Sequence, residues 1–166
     1  MPEVNNNVVQ RHLVGNYLGE NAAGSANQTY NLMGLGFTEI NGKTGVETKE
    51  KQYVHQKAKT TRVSSYNAAW DFTADHIPSQ TPISQLYNVG RNQLTGDAAC
   101  FDYIVVDLWD TPTQTSYPAR KFKVSAEISE YSPDDSEMQV KGTLHQQGDF
   151  VEGTFNISDN TFTPTP

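Results

Sequence analysis

Residue types that carry out catalysis are few in this sequence, and they are widely spaced. The four histidines are His12, His55, His76 and His145. None of them has a second metal ligand at the short spacings of zinc motifs. The acid pairs Asp71/Asp75 and Asp107/Asp110 offer fewer oxygen ligands, at wider spacing, than a calcium loop needs. The titratable residues therefore predict no metal site.

The sequence supports neither a catalytic nucleophile nor a nucleotide-binding site. The single cysteine, Cys100, excludes an internal disulfide and is predicted to be a small buried residue that opens a strand. The Gly-Leu-Gly run at 34–36 lacks the phosphate-binding spacing and is followed by a predicted strand. We therefore expect no catalytic residue and no cofactor, and we interpret the chain as a protein other than an enzyme.

Aromatic residues leave one binding alternative open. Nine of them could form a sugar-stacking surface, although most fall on faces predicted to pack in a core. They are Tyr53, Tyr66, Trp70, Phe72, Tyr87, Tyr103, Trp109, Tyr117 and Tyr131. Packing is the favoured interpretation.

Length and charge narrow the class of protein. A chain of 166 residues fits one domain, 1–166, and its mean hydropathy of -0.62 allows only a thin core. The net charge of -7 argues against a protein that holds nucleic acid. Half of the twelve basic residues lie between Lys43 and Arg62, whereas from Asp97 onward twelve acidic residues stand against four basic ones. Such a basic segment is either a solvated loop or a loop that meets an acidic face of another copy.

The sequence has neither a signal-peptide pattern at its start nor a run of about 20 apolar residues. We therefore expect synthesis in the cytoplasm and no membrane span.

The first half of the chain predicts strands separated by polar segments. Residues 1–28 are interpreted as an N-terminal arm that stays loose until it docks. Tyr30 to Ile40 alternates as a strand, and 41–61 is predicted to be a long loop used in assembly. Arg62 to Asp75 predicts one or two strands with a bend near 67–69. We expect the arm and the loop to be mobile in the free subunit.

The second half predicts one helix and then strands. Pro82 to Leu94 has one apolar stripe, with Thr81 as the expected N-cap and Gly96 just past the end. Phe101 to Trp109 is almost continuously apolar, which is typical of a central strand. Residues 121–129 and 138–145 alternate around a turn at 132–135 and predict a hairpin. A strand at 151–157 and a C-terminal tail at 158–166 complete the chain.

These elements predict a mainly β fold with one helix: a two-sheet β sandwich or flattened barrel, a flanking α-helix and a long loop after the first strand. Some sheet edges should remain open, and open edges are places where other chains pair.

The C-terminal half, KFKVSAEISEYSPDDSEMQVKGTLHQQGDFVEGTFN, follows a helix and the strand CFDYIVVDLW. In this order of features it resembles the major tail (tail tube) proteins of long, non-contractile-tailed phages. The recognisable part lies within about 99–157. Some relatives carry an additional immunoglobulin-like C-terminal domain, and none is expected within residues 1–166.

The resemblance implies hexameric rings that stack into a tube for DNA, made in the host bacterial cytoplasm and placed in the virion tail. The implied partners are the chain itself and other tail proteins, namely the tape measure, terminator and baseplate or distal tail proteins; DNA would pass without specific binding. The candidates for contacts between subunits are Lys43, Glu47, Lys49, Glu50, Lys51, Tyr53, Lys57, Lys59 and Arg62. The candidates for the face that lines the lumen are Ser125, Glu127, Ser129, Gln139 and Lys141.

Other functions remain open at this point. A tail terminator or head-tail joining protein would form single rings, and a carbohydrate-binding or adhesin β sandwich would be monomeric with an exposed aromatic patch. A hydrolase would need an acid pair brought together from separate strands.

Overall fold

The computed structural model describes residues 7–133 and 137–166. One α-helix, α1, spans Thr81–Arg91 in that part of the chain. The strands are Val14–Gly19 (β1), Tyr30–Leu32 (β2), Phe37–Lys43 (β3), Glu47–Lys51 (β4), Thr60–Ser65 (β5), Ala69–Asp75 (β6), Cys100–Asp107 (β7), Ser116–Pro133 (β8), Met138–Gln146 (β9), Val151–Asn156 (β10) and Thr161–Pro164 (β11). Short 3-10 helices precede β1 and β7.

Nine of these strands form one curled antiparallel sheet, a half-barrel, in the order β2-β1-β7-β8-β9-β6-β3. Strand β10 pairs with β8 outside this path, and β11 pairs with β10. Strands β4 and β5 form a second, two-stranded sheet. The predicted fold class, mainly β with one flanking helix, is confirmed.

Strand β8 is the longest element, at 18 residues, and it joins the parts of the sheet. Along one edge its first half pairs with β10 and its second half with β9. Residues 119–125 in its middle pair with β7. The sheet therefore branches at β8.

The larger hydrophobic cluster fills the inside of the curl, where α1 packs over β8. The buried side chains Leu86 and Val89 of the helix belong to this cluster, and Gly90 lies close against Ile128. A Trp70–Phe122 ring contact of 4.6 Å joins β6 to β8 across the curl. Strand β7 is buried along almost its whole length, as its apolar sequence predicted.

A second cluster lies on the opposite face of β1 and β7. It is closed by β10 and β11, whose Phe155 is fully buried and lies 4.3 Å from the ring of Tyr17. Ile104 and Val106 of β7 complete this layer, because alternate residues of one strand point to opposite faces. Strand β7 therefore contributes to both cores.

The helix is confirmed, but its ends differ from the prediction. It begins at Thr81, and the preceding residue, Gln80, makes no side-chain cap hydrogen bond. Thr81 is therefore the first helical residue and not the N-cap. The helix ends at Arg91, because Gln93 adopts a left-handed conformation (φ 52°). Gly96 begins the 3-10 helix before β7.

Two segments expected to be peripheral contain strands of the main sheet. Residues 14–19 of the predicted N-terminal arm form β1, which pairs with both β2 and β7 and buries Leu18 completely. Residues 161–164 of the predicted tail form β11. The predicted strand from Tyr30 to Ile40 is interrupted at Gly36, which has a positive φ of 93°. The Cβ of any other residue at Gly36 would lie 2.7 Å from Ile83.

The predicted loop at 41–61 is also corrected. Strand β3 continues to Lys43, and β4 pairs with β5 to make a hairpin. Gly45 allows this, because its φ is positive and a Cβ there would lie 1.9 Å from the carbonyl oxygen of Asn67. The predicted bend near 67–69 is confirmed between β5 and β6. Part of the predicted turn at 132–135, residues 134 and 135, lies outside the described residues.

A buried carboxylate fastens the segment between β1 and β2 to the sheet. Asp102 is only 4% exposed, and it accepts hydrogen bonds from the backbone N–H of Gly24 and from Nε2 of Gln28, the latter at 3.0 Å. Burial, together with the nearby charge of Asp102, raises the pKa of Tyr30 to about 12.

We expect Asp102→Ala to lower the free energy of unfolding by about 2–3 kcal/mol, because it removes charge-assisted hydrogen bonds and leaves their donors unpaired. Urea denaturation measures the loss, and a spectrophotometric titration should show the pKa of Tyr30 falling towards its ordinary value. The exposed Asp97→Ala is the control. Equal stability of the two variants would contradict the role of Asp102.

Candidate assembly surfaces

The hairpin of β4 and β5 is the most exposed element of the fold. Every residue of β4 is exposed, as are all residues of β5 except Thr60. A two-stranded hairpin is only marginally stable in water when nothing packs against it. This hairpin therefore has the properties of an element that a partner stabilises.

One face of the hairpin carries a row of cations. Lys49 lies directly opposite Arg62 in the register, and Lys51 follows on the same face. We call Lys49, Lys51 and Arg62 the cationic row. Like charges directly opposite one another destabilise a strand pair. No salt bridge joins these three residues to a carboxylate in the described part of the chain.

The other predicted contact residues of the hairpin surround this row. Lys59 forms an ion pair with Glu50 at 3.4 Å, and the Nζ of Lys51 lies 5.0 Å from the ring centre of Tyr53. Glu47 accepts a hydrogen bond from the hydroxyl of Ser65 at 3.2 Å. Lys57 is exposed in the connection between the strands. A shallow cavity of about 250 Å³ lies among Lys49, Glu50, Lys51, Tyr53, Thr60 and Arg62.

Lys43, grouped with these residues in the sequence, belongs to another surface. It lies at the end of β3 and forms an ion pair with Asp71 of β6 at 2.7 Å. Asp71 also accepts a hydrogen bond from the hydroxyl of Thr143 at 2.7 Å. These contacts lie on the outer side of the curled sheet.

The same outer side carries the five predicted lumen residues. The register places Ser125 opposite His145 and Glu127 opposite Thr143. We call this surface the polar face. Its members on β3, β6, β8 and β9 are Glu39, Asn41, Lys43, Asp71, Thr73, Asp75, Ser125, Glu127, Ser129, Glu130, Gln139, Lys141, Thr143 and His145.

A β-bulge changes the alternation of β8 on this face. The register shifts between Ile128 and Glu130, so that Ser129 is the extra residue and Glu130 lies opposite Lys141. The hydroxyl of Ser129 donates a hydrogen bond to the carbonyl of Lys141 at 3.2 Å. The bulge also brings Tyr131 to the helix side, where its ring lies 5.6 Å from that of Tyr87.

Charged groups on the polar face are largely paired with each other. Lys141 lies 3.9 Å from Glu130, and Nε2 of His145 lies 2.5 Å from Glu127. Gln139 donates a 3.4 Å hydrogen bond to Asp75. Asp71, Thr143 and His145 were not among the predicted residues, although the alternation of β9 could have identified the last two.

Hydrogen bonds from Lys43 and Thr143 lower the pKa of Asp71. Because its folded pKa is lowered, Asp71 stabilises the fold above its ordinary pKa of about 3.9, and this contribution is lost as pH falls through the folded value. We expect Asp71→Asn to be less stable than the parent at neutral pH. The difference should disappear in acid.

Urea denaturation of both proteins between neutral and acidic pH measures this effect. Lys43→Gln is the matched variant, because it removes the same ion pair from the other side and should reduce the pH dependence similarly. A stability difference between Asp71→Asn and the parent that stays constant at every pH would contradict the assignment.

A cavity of about 640 Å³ lies at the base of the hairpin. Its walls include Tyr66, Trp70, Phe122 and Phe150, and the guanidinium of Arg120 lies 5.6 Å from the ring centre of Phe122 and 5.9 Å from that of Phe150. Sequence reasoning identified Tyr66 and Trp70 as aromatic residues but not this cavity, because its walls come from four separate parts of the chain.

The sheet ends in strands that pair on one side only. In the described residues these are β2 and β3 at the two ends of the main path and β11 beyond β10. Unpaired N–H and C=O groups on such edges are available to another chain. Between the β1–β2 side and β3, the half-barrel opens into a groove of about 740 Å³, which the side chain of Arg11 crosses to donate to the carbonyl of Thr38 at 3.0 Å.

Residues 7–133 and 137–166 contain neither a cluster of metal ligands nor a helix that could span a membrane. No group of three or more His, Cys, Asp or Glu side chains there is arranged to hold a metal ion. The helix found there is not of the length and apolar character that a membrane span requires.

Comparison with known proteins identifies the fold. No protein-family model and no curated protein matches the sequence. A chain from the tail of an empty GTA particle, determined by helical refinement with C6 symmetry, matches with a TM-score of 0.56 at 10% identity and covers 94% of this chain and 99% of its own. A chain from the six-fold symmetrised baseplate of the anti-feeding prophage matches with a TM-score of 0.46 at 9% identity, covering 90% and 97%. This chain therefore has the fold of a chain from the GTA particle tail.

Proposed function

We propose that this chain is a structural subunit of a phage tail, of the long, non-contractile type, and that its hexameric rings stack into the tube through which DNA passes. The observation that carries the proposal is the fold shared over nearly the full length of both chains with a tail that has C6 symmetry. The exposed hairpin of β4 and β5 and the unpaired sheet edges both favour self-association.

Ring closure in this proposal uses the sheet edges. Strands β2 and β3 lie at opposite ends of the sheet path and each lacks a partner on one side. In a closed ring, an edge of one copy pairs with an edge of the next, which removes the exposed peptide groups. The hairpin of β4 and β5 then extends to a copy in the adjacent ring.

The polar face, apart from Asp75 and Glu130 at one end of it, is the surface that we assign to the lumen. It carries Ser125, Glu127, Ser129, Gln139 and Lys141 on one side of the sheet. Lys43 and Lys141 each lie beside a carboxylate, so few cations are left to hold phosphate. This surface would let DNA slide past. The ends of the tube would contact the tape measure, terminator and baseplate or distal tail proteins.

Negative-stain electron microscopy of the purified protein, over a range of protein and salt concentrations, tests this function together with light scattering. Hollow tubes or stacked rings are the expected result. Rings that never stack would favour a tail terminator or head-tail joining protein. A chain that remains a monomer under every condition would contradict the proposal.

A carbohydrate-binding sandwich is the second candidate, and one observation favours it. The cavity at the base of the hairpin combines Trp70, Tyr66 and Phe150 with the polar residues Gln146 and Asp149. Aromatic faces beside hydrogen-bonding groups suit a sugar ring. A glycan array that compares the parent with Tyr66→Ala tests it, because Tyr66 is 66% exposed and its truncation should leave the core intact. Binding by a monomeric parent that the variant loses would favour this function.

A further inference from the structure

The cationic row forms no salt bridge with a carboxylate in the described part of the chain, and Lys51 instead contacts the ring of Tyr53. Lys49 and Arg62 face each other across the hairpin, and neither forms a salt bridge in the described part of the chain. An arrangement that costs stability in the free subunit gains when carboxylates are brought to it. The nearby cavity of about 250 Å³ leaves room for such a side chain.

Carboxylates lie at the opposite end of the same part of the sheet. The hairpin leaves the sheet beside Lys43 and Ala69, where β3 and β6 meet. At the other end of β6 lies Asp75, and the exposed Glu130 and Glu137 lie near it on β8 and before β9. We call Asp75, Glu130 and Glu137 the acidic end.

The acidic end has few cations of its own. Lys141 lies 3.9 Å from Glu130, and the two side chains are 45% and 63% exposed, so that solvent screens their interaction. His76 is near this end through its backbone N–H, which donates to the carbonyl of Met138 at 2.8 Å. Strand β6 has seven residues, so the two ends are about 20 Å apart and cannot meet within one subunit.

We propose that the cationic row binds the acidic end of a second copy in the adjacent ring. This inference rests on the proposed function and adds the chemistry of the contact between rings. The two surfaces differ, so the contact is head-to-tail and repeats without limit. A positive surface at one end and a negative one at the other also fix the polarity of stacking, because rings turned head to head would bring like charges together.

Two charge-reversed proteins test the inference. One carries Lys49→Glu and Arg62→Glu, and the other carries Glu130→Lys and Glu137→Lys. In each protein the cationic row and the acidic end then carry net charge of the same sign. Each protein alone should therefore need a concentration about tenfold higher, or more, than the parent needs to form tubes. Mixed in equal amounts, the two have complementary ends and should form tubes at the parent's concentration.

The control is Lys49→Arg with Arg62→Lys, which keeps both charges and should assemble like the parent. Circular dichroism and urea denaturation of every variant separate loss of stacking from loss of folding. Normal tube growth by the Lys49→Glu/Arg62→Glu protein alone would overturn the inference, and so would folded reversed proteins whose mixture forms rings but no tubes. If the parent forms tubes while the mixture fails, only the charge pairing is wrong; if the parent forms none, the proposed function fails with it.

Discussion

Replacing residues 48–63 with the dipeptide Asn-Gly is expected to abolish tube formation and to leave a folded subunit. The removed side chains are nearly all exposed and belong to neither hydrophobic cluster. Asn-Gly favours the tight turn that reconnects adjacent antiparallel strands. The free energy of unfolding should therefore change by about 0.5 kcal/mol or less.

Electron microscopy and urea denaturation of this variant give the two results. The matched control places the same dipeptide at Asp159–Asn160, between β10 and β11, where Asn160 already has a positive φ of 55°. That control should fold and assemble. Tubes formed by the hairpin-deleted protein would contradict the role of the hairpin between rings, and an unfolded variant would show that the hairpin supports the fold itself.

Leu18→Ala is expected to have the largest effect on stability, a loss of about 2–5 kcal/mol in the free energy of unfolding. Leu18 is fully buried in the larger hydrophobic cluster, and truncating it leaves a cavity between β1 and the helix side of the core. Domains of this kind are stable by only about 5–15 kcal/mol, so the variant should unfold at a much lower urea concentration.

Leu35→Ala is the matched control, because Leu35 is 66% exposed and its truncation should change little. Amide exchange of the parent provides a second measurement: residues 14–19 should be protected, whereas a loose arm would exchange freely. Equal stability of the two variants would restore the interpretation of residues 14–19 as part of a mobile arm.

The sequence predicted the elements whose apolar pattern is complete within one segment. Strand β7 is almost continuously apolar, and β8 and β9 alternate, so each of these patterns identified its strand. The helix was predicted for the same reason, although its end was not, because Gln93 rather than a glycine takes the left-handed conformation. A strand or helix that buries one or both faces can therefore be recognised from its own sequence.

Strands β1 and β4 were missed for opposite reasons. Strand β1, Val14–Gly19, has two glycines and an asparagine among its apolar residues, so its apolar pattern is interrupted. Its place in the sheet, between β2 and β7, depends on pairing with the distant β7. Strand β4, and with it the pairing that makes the hairpin, was missed because every residue of β4 is exposed, so that it has no apolar alternation to detect.

The surfaces were partly predictable. The alternation of β8 and β9 placed Ser125, Glu127, Gln139 and Lys141 on the polar side, whereas the bulge at Ser129 depends on the pairing of the two strands. The ion pair of Lys43 with Asp71 joins β3 to β6 and could not be deduced from either strand alone. Sequence spacing assigned Lys43 to the predicted loop at 41–61, because it cannot show that β3 continues to this residue.

Strand β8 also determines where this chain can change length. Deleting one residue between Lys121 and Val124 would turn every following side chain of β8 to the other face relative to β10, because the side-chain period of a strand is two. The apolar side chains of β8 could not then be buried in both hydrophobic clusters at once. The hairpin has no such constraint within the subunit, so insertions and deletions among related chains should collect between Gly45 and Asn67 and be excluded from the middle of β8.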